Sequence, residues 1–203
     1  MKLVYSGYPL ERIATDILGE LPLTNNGNRY ILVAADYFTK WTECFAIPNM
    51  EASTVAAKIV AEVIARFGVP AVIHSNQGPQ YESYLFKEMC KLLDIQKTHT
   101  TPYHLQSDCM VERFNRTLTT MLSAFVNEHH SDWDMHLPFI MMAYRSSVHD
   151  TTGMTLNMMM FGQEVATPLD LQYGMSSQIK ETPSNKWVLE LQERLENAHA
   201  FVR

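Results

Sequence analysis

The chain has 203 residues, of which 46% are hydrophobic and 19% are charged, and its net charge is −6. This length and composition are typical of one globular domain, with or without a trailing segment, and exclude a disordered chain. Because nonspecific binding to nucleic acid depends mostly on Lys and Arg, the acidic balance also excludes a uniformly basic DNA-binding surface. Any DNA site must therefore be local.

The lack of a recognisable targeting signal and the pattern of cysteines favour an intracellular protein. The sequence has no apolar run of about 18 residues for a membrane span, and its N-terminus lacks the apolar stretch of a secretory signal. The cysteines, Cys44, Cys90 and Cys109, form no CxxC pair and accompany no paired-histidine pattern for zinc. Free thiols in a reducing compartment are the expectation.

Apolar and β-branched residues in the first third of the chain predict an antiparallel meander of three strands. The strands are expected at Arg12–Gly19, Arg29–Tyr37 and Glu43–Ile47. Between the first two, the stretch from Asn25 to Asn28 predicts a turn, because Asn and Gly accept positive φ angles.

The next segment alternates helices and strands. Apolar residues four apart over Glu51–Phe67 predict an amphipathic helix that Gly68 ends. The elements expected after it are a strand at Val69–His74, a helix at Tyr81–Asp94 and a strand at Ile95–His99. This order predicts a mixed α/β fold with a partly parallel sheet.

The last part of the chain is expected to be mostly helical. A long helix reaching His129 is predicted by an apolar stripe facing the core: Met110, Phe114, Leu118, Met121, Leu122 and Phe125. Further helices are expected at Trp133–Arg145 and Asn185–Val202, with an irregular segment, Gly153–Asp170, between them. The apolar stripe of the last helix has no obvious core, so this helix packs on the domain or runs on as a connector.

Two acidic residues stand in positions that need an explanation. Asp16 lies on an otherwise apolar strand, where a buried carboxylate needs a partner or a metal, although an exposed strand end would also explain it. Glu112 falls on the polar face of the long helix with Asn115, Arg116 and Thr119. It is either a site residue or part of a solvated face, paired with Arg116 at i,i+4.

Two sequence stretches favour the functional interpretation. HSNQGPQYES, from residue 74, and TPYHLQSDCMVERFNRTL, from residue 101, strongly resemble the signature stretches of the Ty3/gypsy-type integrase catalytic core. That family has 35 residues between its second and third acids, and 35 residues lie between Asn76 and Glu112. The resemblance continues in ATDILGELP, DYFTKW, WDMHLPFIMMAYRSSVHDTTG and MFGQEVATPLDL, and so covers about residues 11–172.

The resemblance implies an α/β fold of the RNase H-like type. Its mixed five-stranded sheet would have three antiparallel strands followed by two parallel ones, flanked by helices. The catalytic core would occupy residues 1–172, and residues 173–203 would form a C-terminal connector helix segment. The catalytic and metal-binding positions would be Asp16, Asn76 and Glu112, since in active relatives three acids hold two Mg²⁺ ions for DNA strand cutting and joining.

The chain departs from the family pattern at three positions near this site. Asn76 stands where the family has Asp, and an amide offers one neutral oxygen where a carboxylate offers two oxygens and a charge. We therefore expect weak binding of Mg²⁺ or Mn²⁺ and little or no strand transfer. Leu105 replaces a usual Pro and Cys109 a usual Gly, and Cys109 is interpreted as a bystander thiol because no His–Cys arrangement accompanies it.

The resemblance also implies partners. DNA contacts are expected from Tyr103, His104, Gln106, Asn115 and Arg116, with Arg113 nearby. A homodimer through core helices and a nuclear location follow from the same analogy, with no membrane partner and no small-molecule substrate. Two alternatives stay open: a domesticated, non-enzymatic module that binds nucleic acid or protein, and a residually active nuclease. His74 and His99 are interpreted as strand-end residues and not as ligands.

Overall fold

The computed structural model describes residues 6–100, 109–126, 131–174 and 185–202. The first part of the chain forms β1 (Arg12–Leu18), β2 (Tyr30–Asp36), β3 (Thr42–Ile47), α1 (Ala52–Lys58), a π-helical segment (Ile59–Ile64), α2 (Ala65–Phe67), β4 (Val72–Ser75), α3 (Pro79–Glu82), α4 (Tyr84–Leu92) and β5 (Gln96–His99). The second part forms α5 (Cys109–Phe125), α6 (Trp133–Arg145), β6 (Val148–His149), β7 (Met154–Thr155), α7 (Leu156–Phe161), α8 (Pro168–Tyr173) and α9 (Lys186–Val202).

The main sheet has five strands in the order β3-β2-β1-β4-β5. β1 pairs antiparallel with β2 and parallel with β4, while β2 pairs antiparallel with β3 and β4 parallel with β5. The predicted mixed sheet of three antiparallel strands followed by two parallel ones is therefore confirmed. Its central strand, β1, is the one that carries Asp16.

Helices cover one face of this sheet. The hydrophobic cluster there combines strand and helix residues: Ile13, Leu32, Ile47, Ile73, Val55, Ile59, Val63, Tyr81 and Phe86. The predicted helix at residues 51–67 is confirmed as one helical stretch from α1 to α2, with the π-helical segment in its middle. It ends at Gly68, whose φ of +90° is a conformation that other residues rarely adopt.

Two predicted elements begin or break at different positions. The strand expected at residues 69–74 starts only at Val72, since Pro70 has no N–H for a strand ladder. The helix expected at residues 81–94 is two helices, α3 and α4. They break at Ser83, whose backbone is extended and whose side chain caps α4 by accepting a hydrogen bond from the Phe86 N–H.

The buried face of α5 differs from the predicted stripe. The buried residues are Val111, Phe114, Leu118 and Leu122. They are spaced by three or four residues and so share one helix face. Met110 and Met121 are only half-buried, and Phe125, which was expected in the core, is 58% exposed at the end of the helix. The stripe is thus rotated toward Val111, and His129 lies outside the described residues.

Contacts between Cα atoms divide the chain into two compact units, Met1–Phe38 with Thr42–Met141, and Thr39–Trp41 with Met142–Arg203. The predicted division into a core, residues 1–172, and a connector, residues 173–203, stays a prediction. None of the helices in the described ranges is long and apolar enough to cross a membrane.

In the second unit, the prediction of an irregular segment at residues 153–170 is wrong. α7 is capped by Thr155, and α8 starts with a capping box formed by Thr167 and Asp170. α9 packs on α7 through its first turns, where the Trp187 Nε1 donates a hydrogen bond to the Met159 carbonyl. The first turns of α9 therefore pack within this unit.

The predicted turn between β1 and β2 is confirmed and is held by a carboxylate on α6. The Asp134 Oδ2 accepts hydrogen bonds from Thr24 Oγ1 at 2.9 Å, Asn26 Nδ2 at 3.1 Å and Asn28 Nδ2 at 2.7 Å. Burial alone would raise the pKa of Asp134, but these hydrogen bonds outweigh it and hold the pKa below its ordinary value.

Replacing Asp134 with Ala should lower the free energy of unfolding at neutral pH by about 2–3 kcal/mol, because polar donors lose a charged acceptor. Because the pKa of Asp134 is lower in the folded state, its carboxylate stabilises the fold at pH values above the ordinary pKa of 3.8. That contribution disappears as the pH falls through the lowered pKa, so wild type and variant should converge in acid. Urea unfolding of wild type and variant at neutral pH and in acid tests this prediction. The exposed Asp150→Ala serves as control, and equal stability at neutral pH would contradict the prediction.

Candidate active site

Asp16, Asn76 and Glu112 are brought together by the sheet and by α5. Asp16 lies inside β1, opposite Val33 of β2, and is half-buried, so it is not at a frayed strand end. Asn76 directly follows β4, which runs parallel beside β1, and Glu112 lies in the first turn of α5. Together with Thr15 and Val111, these three residues line one open pocket.

The side chain of Asn76 is held in one orientation. Its Oδ1 accepts a hydrogen bond of 2.9 Å from the Gly78 backbone N–H, and its Nδ2 donates one of 2.9 Å to Asp16 Oδ1. A backbone N–H needs an acceptor, so the amide oxygen must face Gly78 and the amide nitrogen must face Asp16. The group at this position is therefore a hydrogen-bond donor toward the acid.

A second amide contacts the same carboxylate. Asn115, one turn beyond Glu112 on α5, donates a hydrogen bond of 2.9 Å from its Nδ2 to Asp16 Oδ2. Each oxygen of Asp16 thus accepts an amide N–H. Asn115 was predicted as a DNA contact, and this bond to Asp16 was not foreseen from the sequence, since it joins residues 99 positions apart.

The polar face of α5 extends from the pocket into solvent. Glu112 is exposed, as are Arg113, Arg116 and Thr119. Within residues 109–126, no ion pair joins Glu112 to Arg116, so the alternative interpretation of Glu112 as part of an i,i+4 pair is not supported on that stretch of helix. The two arginines are therefore solvent-exposed on the helix that carries Glu112.

The described residues do not fit a site for two divalent cations. Across residues 6–100, 109–126, 131–174 and 185–202, no group of three or more His, Cys, Asp or Glu side chains could hold a metal. The pocket contains two carboxylates, and its third polar side chain turns an N–H, not an oxygen, toward Asp16. Hard cations such as Mg²⁺ need oxygen ligands, so Asn76 in this orientation is no ligand.

A buried tyrosine that sequence reasoning missed contacts Thr15, which lines the pocket. Tyr81 is fully buried, and its hydroxyl lies 3.0 Å from Thr15 Oγ1. Burial raises the pKa of Tyr81 well above its ordinary value, and the nearby charge of Asp16 adds to the rise despite the hydrogen bond with Thr15. The phenol therefore stays neutral and orders the strand beside Asp16. The sequence signal for it is an aromatic residue at the start of the helix predicted at residues 81–94.

Two further polar networks support this end of the sheet. Buried His74 lies within 2.8 Å of Thr98 Oγ1 through its Nδ1, and Arg12 Nη2 lies 3.3 Å from the same nitrogen. The side-chain hydrogen bonds of Glu82 with Lys97 and Lys87 lower the pKa of Glu82 to about 2 and tie α3 to β5. His99 ends β5, as expected, while His74 lies within β4.

Several predicted residues of the site fall outside the described part of the chain. They are Tyr103, His104, Leu105 and Gln106, all within residues 101–108. Of the predicted DNA contacts, Asn115 and Arg116 are described, and both lie on α5.

Comparison with known sequences identifies the family. Residues 8–105 match the family model of the integrase core domain. The Pro-Pol polyprotein of simian foamy virus type 3 is 31% identical over 160 residues, which are 79% of this chain and 14% of that protein. The retrovirus-related Pol polyprotein from transposon 412 of Drosophila melanogaster is 29% identical over 146 residues, which are 70% of this chain and 12% of that protein. The chain therefore spans less than a sixth of either relative.

Solved structures with the same fold are also integrases. The simian T-cell lymphotropic virus intasome in complex with PP2A regulatory subunit B56 gamma matches with a TM-score of 0.65 at 22% identity, over 78% of this chain and 56% of that chain. The HTLV-2 integrase catalytic core domain in complex with magnesium, in a trimeric form, matches with a TM-score of 0.60 at 16% identity, over 75% of this chain and 97% of that chain. The sequence matches and the shared fold agree, and the chain belongs to the integrase catalytic core family of retroviruses and retrotransposons.

Proposed function

We propose that this chain is an integrase core-type domain that acts at DNA, and that its cutting and joining of DNA strands is lost or strongly reduced at Asn76. The observation that carries the proposal is the hydrogen bond from the Asn76 Nδ2 to Asp16 inside the pocket that also contains Glu112. Family membership supports the reaction class, which is polynucleotidyl transfer.

The chemistry of an amide supports the loss of activity. Asn76 supplies no negative charge, and its single carbonyl oxygen already accepts the Gly78 N–H. Binding of Mg²⁺ or Mn²⁺ by Asp16 and Glu112 alone should be weak, since these cations select anionic oxygen ligands. Removal of one member of a cooperative catalytic unit commonly reduces the rate by about 10³-fold or more.

Cutting of a duplex oligonucleotide, with Mg²⁺ or Mn²⁺ present, tests the proposal. Wild type should remain at background, and Asn76→Asp should raise the rate by about 10³-fold or more because the third carboxylate is restored. Adding Glu112→Ala to Asn76→Asp should abolish the gain, which serves as the matched control.

Other outcomes of this assay favour the alternatives. Metal-dependent cutting by wild type that approaches the rate of Asn76→Asp, and that Glu112→Ala removes, would contradict the proposal and indicate a nuclease that remains active with Asn76. DNA binding without cutting, even after Asn76→Asp, would indicate a non-enzymatic binding module. A wild-type chain that binds no DNA would contradict the DNA-directed function itself.

The proposed DNA-binding surface is the polar face of α5. Arg113 and Arg116 are exposed on the helix that also supplies Val111 and Glu112 to the pocket. Arginine side chains bind phosphate oxygens through several N–H donors, so these two residues are the strongest described candidates for backbone contacts. The predicted contacts Tyr103, His104 and Gln106 would extend the same surface.

The double variant Arg113→Ala with Arg116→Ala should weaken DNA binding about equally for unrelated sequences, because phosphate contacts carry no sequence information. The slope of log affinity against log salt should become shallower by about 2, one for each lost phosphate contact. Gel shifts over a salt series measure both effects. Lys91→Ala, an exposed change on α4, should leave the slope unaltered, and an unchanged slope in the double variant would refute the contact.

A homodimer is the proposed assembly. On the described part of the first unit, Met135 and Phe139 lie one turn apart on α6 with 62% and 67% exposure, and Phe125 at the end of α5 is 58% exposed. Exposed apolar side chains so closely spaced are typical of an interaction surface. Family analogy supports pairing through core helices on the face away from the acids.

The variant Phe139→Glu should shift the chain from dimer to monomer, since a charge at this surface cannot be desolvated without a partner. Sedimentation equilibrium gives the mass directly. Leu92→Glu, at a position on α4 with 82% exposure, is the control and should remain dimeric. A monomeric wild type, or a dimeric Phe139→Glu, would exclude this interface.

A further inference from the structure

We infer that the Asn76 amide, with the Asn115 amide on the other oxygen of Asp16, compensates this carboxylate in place of a bound cation, so that the site is stable without a metal. The inference goes beyond the loss of catalysis, and it depends neither on DNA binding nor on strand cutting. It concerns how the fold tolerates a carboxylate inside its central strand.

Asp16 needs compensation because of its place in the sheet. It follows the buried Ala14 and Thr15 on β1, and β2 and β4 pair with that strand on either side. A carboxylate so enclosed is unfavourable unless hydrogen bonds or opposite charges offset its lost hydration. In a site with three acids, cations would supply this compensation, whereas here amide N–H groups lie on both oxygens.

The loop after β4 is shaped to keep the Asn76 amide in place. The Gly78 N–H and the Asp16 carboxylate hold opposite ends of the amide, at 2.9 Å each. Gly78 is needed for this closure, since a Cβ there would lie 2.9 Å from the Asn76 Oδ1 and 2.5 Å from the Gln80 Nε2. Both the donor and the acceptor of the side chain are therefore used.

Asn115 supplies the second amide that contacts Asp16. Its Nδ2 reaches Asp16 from α5, while its Oδ1 is buried and accepts no hydrogen bond from the described residues. Within the described residues, the contact with Asp16 is therefore the side-chain hydrogen bond of Asn115, and it joins α5 to β1. Loss of this amide should loosen the helix that carries Glu112.

An aspartate at residue 76 would turn the attractive contact with Asp16 into a repulsive one. Two carboxylates would then face each other at the 2.9 Å distance now occupied by an N–H and an oxygen. Like charges so close are unfavourable unless a cation binds between them. The isosteric change Asn76→Asp should thus exchange metal-free stability for metal-dependent stability.

Thermal unfolding without DNA, in a chelator and then in millimolar Mg²⁺ or Mn²⁺, tests the inference. Wild type should unfold at the same temperature in all conditions. Asn76→Asp should unfold about 4–8 °C lower in chelator and recover with metal, because a cation that binds only the folded state stabilises it. Asn115→Ala should unfold lower in every condition with no recovery.

Asn197→Asp, at an exposed position near the end of α9, is the matched control for adding one negative charge and should show neither effect. Two results would overturn the inference: wild type that metal stabilises as strongly as it does Asn76→Asp, or Asn76→Asp as stable as wild type in chelator. If Asn115→Ala does not fold, the comparison of wild type with Asn76→Asp still decides. Because no DNA is present, these outcomes are separate from success or failure in the cutting assay.

Discussion

A carboxylate within the central strand of a sheet must be compensated, and this constraint on Asp16 organises the whole site. β1 is enclosed by β2 and β4, and among the described residues donors reach Asp16 from a segment that ends beside it and from a helix that packs across it. Asn76 comes from the first kind of segment and Asn115 from the second. One side chain thereby links the strand order, the loop after β4 and the position of α5.

An amide in place of a carboxylate at residue 76 changes the chemistry of the pocket without changing the fold. The two groups have nearly the same shape, and the hydrophobic cluster behind the sheet contains neither Asp16 nor Asn76. The family fold can therefore persist while the polarity of one group in the pocket is reversed from acceptor to donor. The exposed Arg113 and Arg116 on α5 are the proposed phosphate contacts of this acidic chain.

Hydrophobic periodicity was enough to predict most of the fold, because burial on a sheet face or helix face repeats with a characteristic spacing. The five strands and the long helices lie where the pattern indicates. Boundaries were less accurate where a local cap decides them. Ser83 divides one predicted helix, and Thr155 and Thr167 begin helices in a segment that was expected to be irregular. The Thr-Pro-x-Asp pattern at residue 167 was a readable capping signal.

By itself, the sequence predicted the mixed α/β topology through its hydrophobic pattern, and its resemblance to the integrase core predicted the family and the three positions Asp16, Asn76 and Glu112, since residue order and spacing are properties of the chain. Only the tertiary structure decided which end of the Asn76 amide faces the acid and that Asn115 binds the same carboxylate. These hydrogen bonds join residues 60 and 99 positions apart. Their direction depends on a backbone N–H and a helix packing that no local pattern encodes.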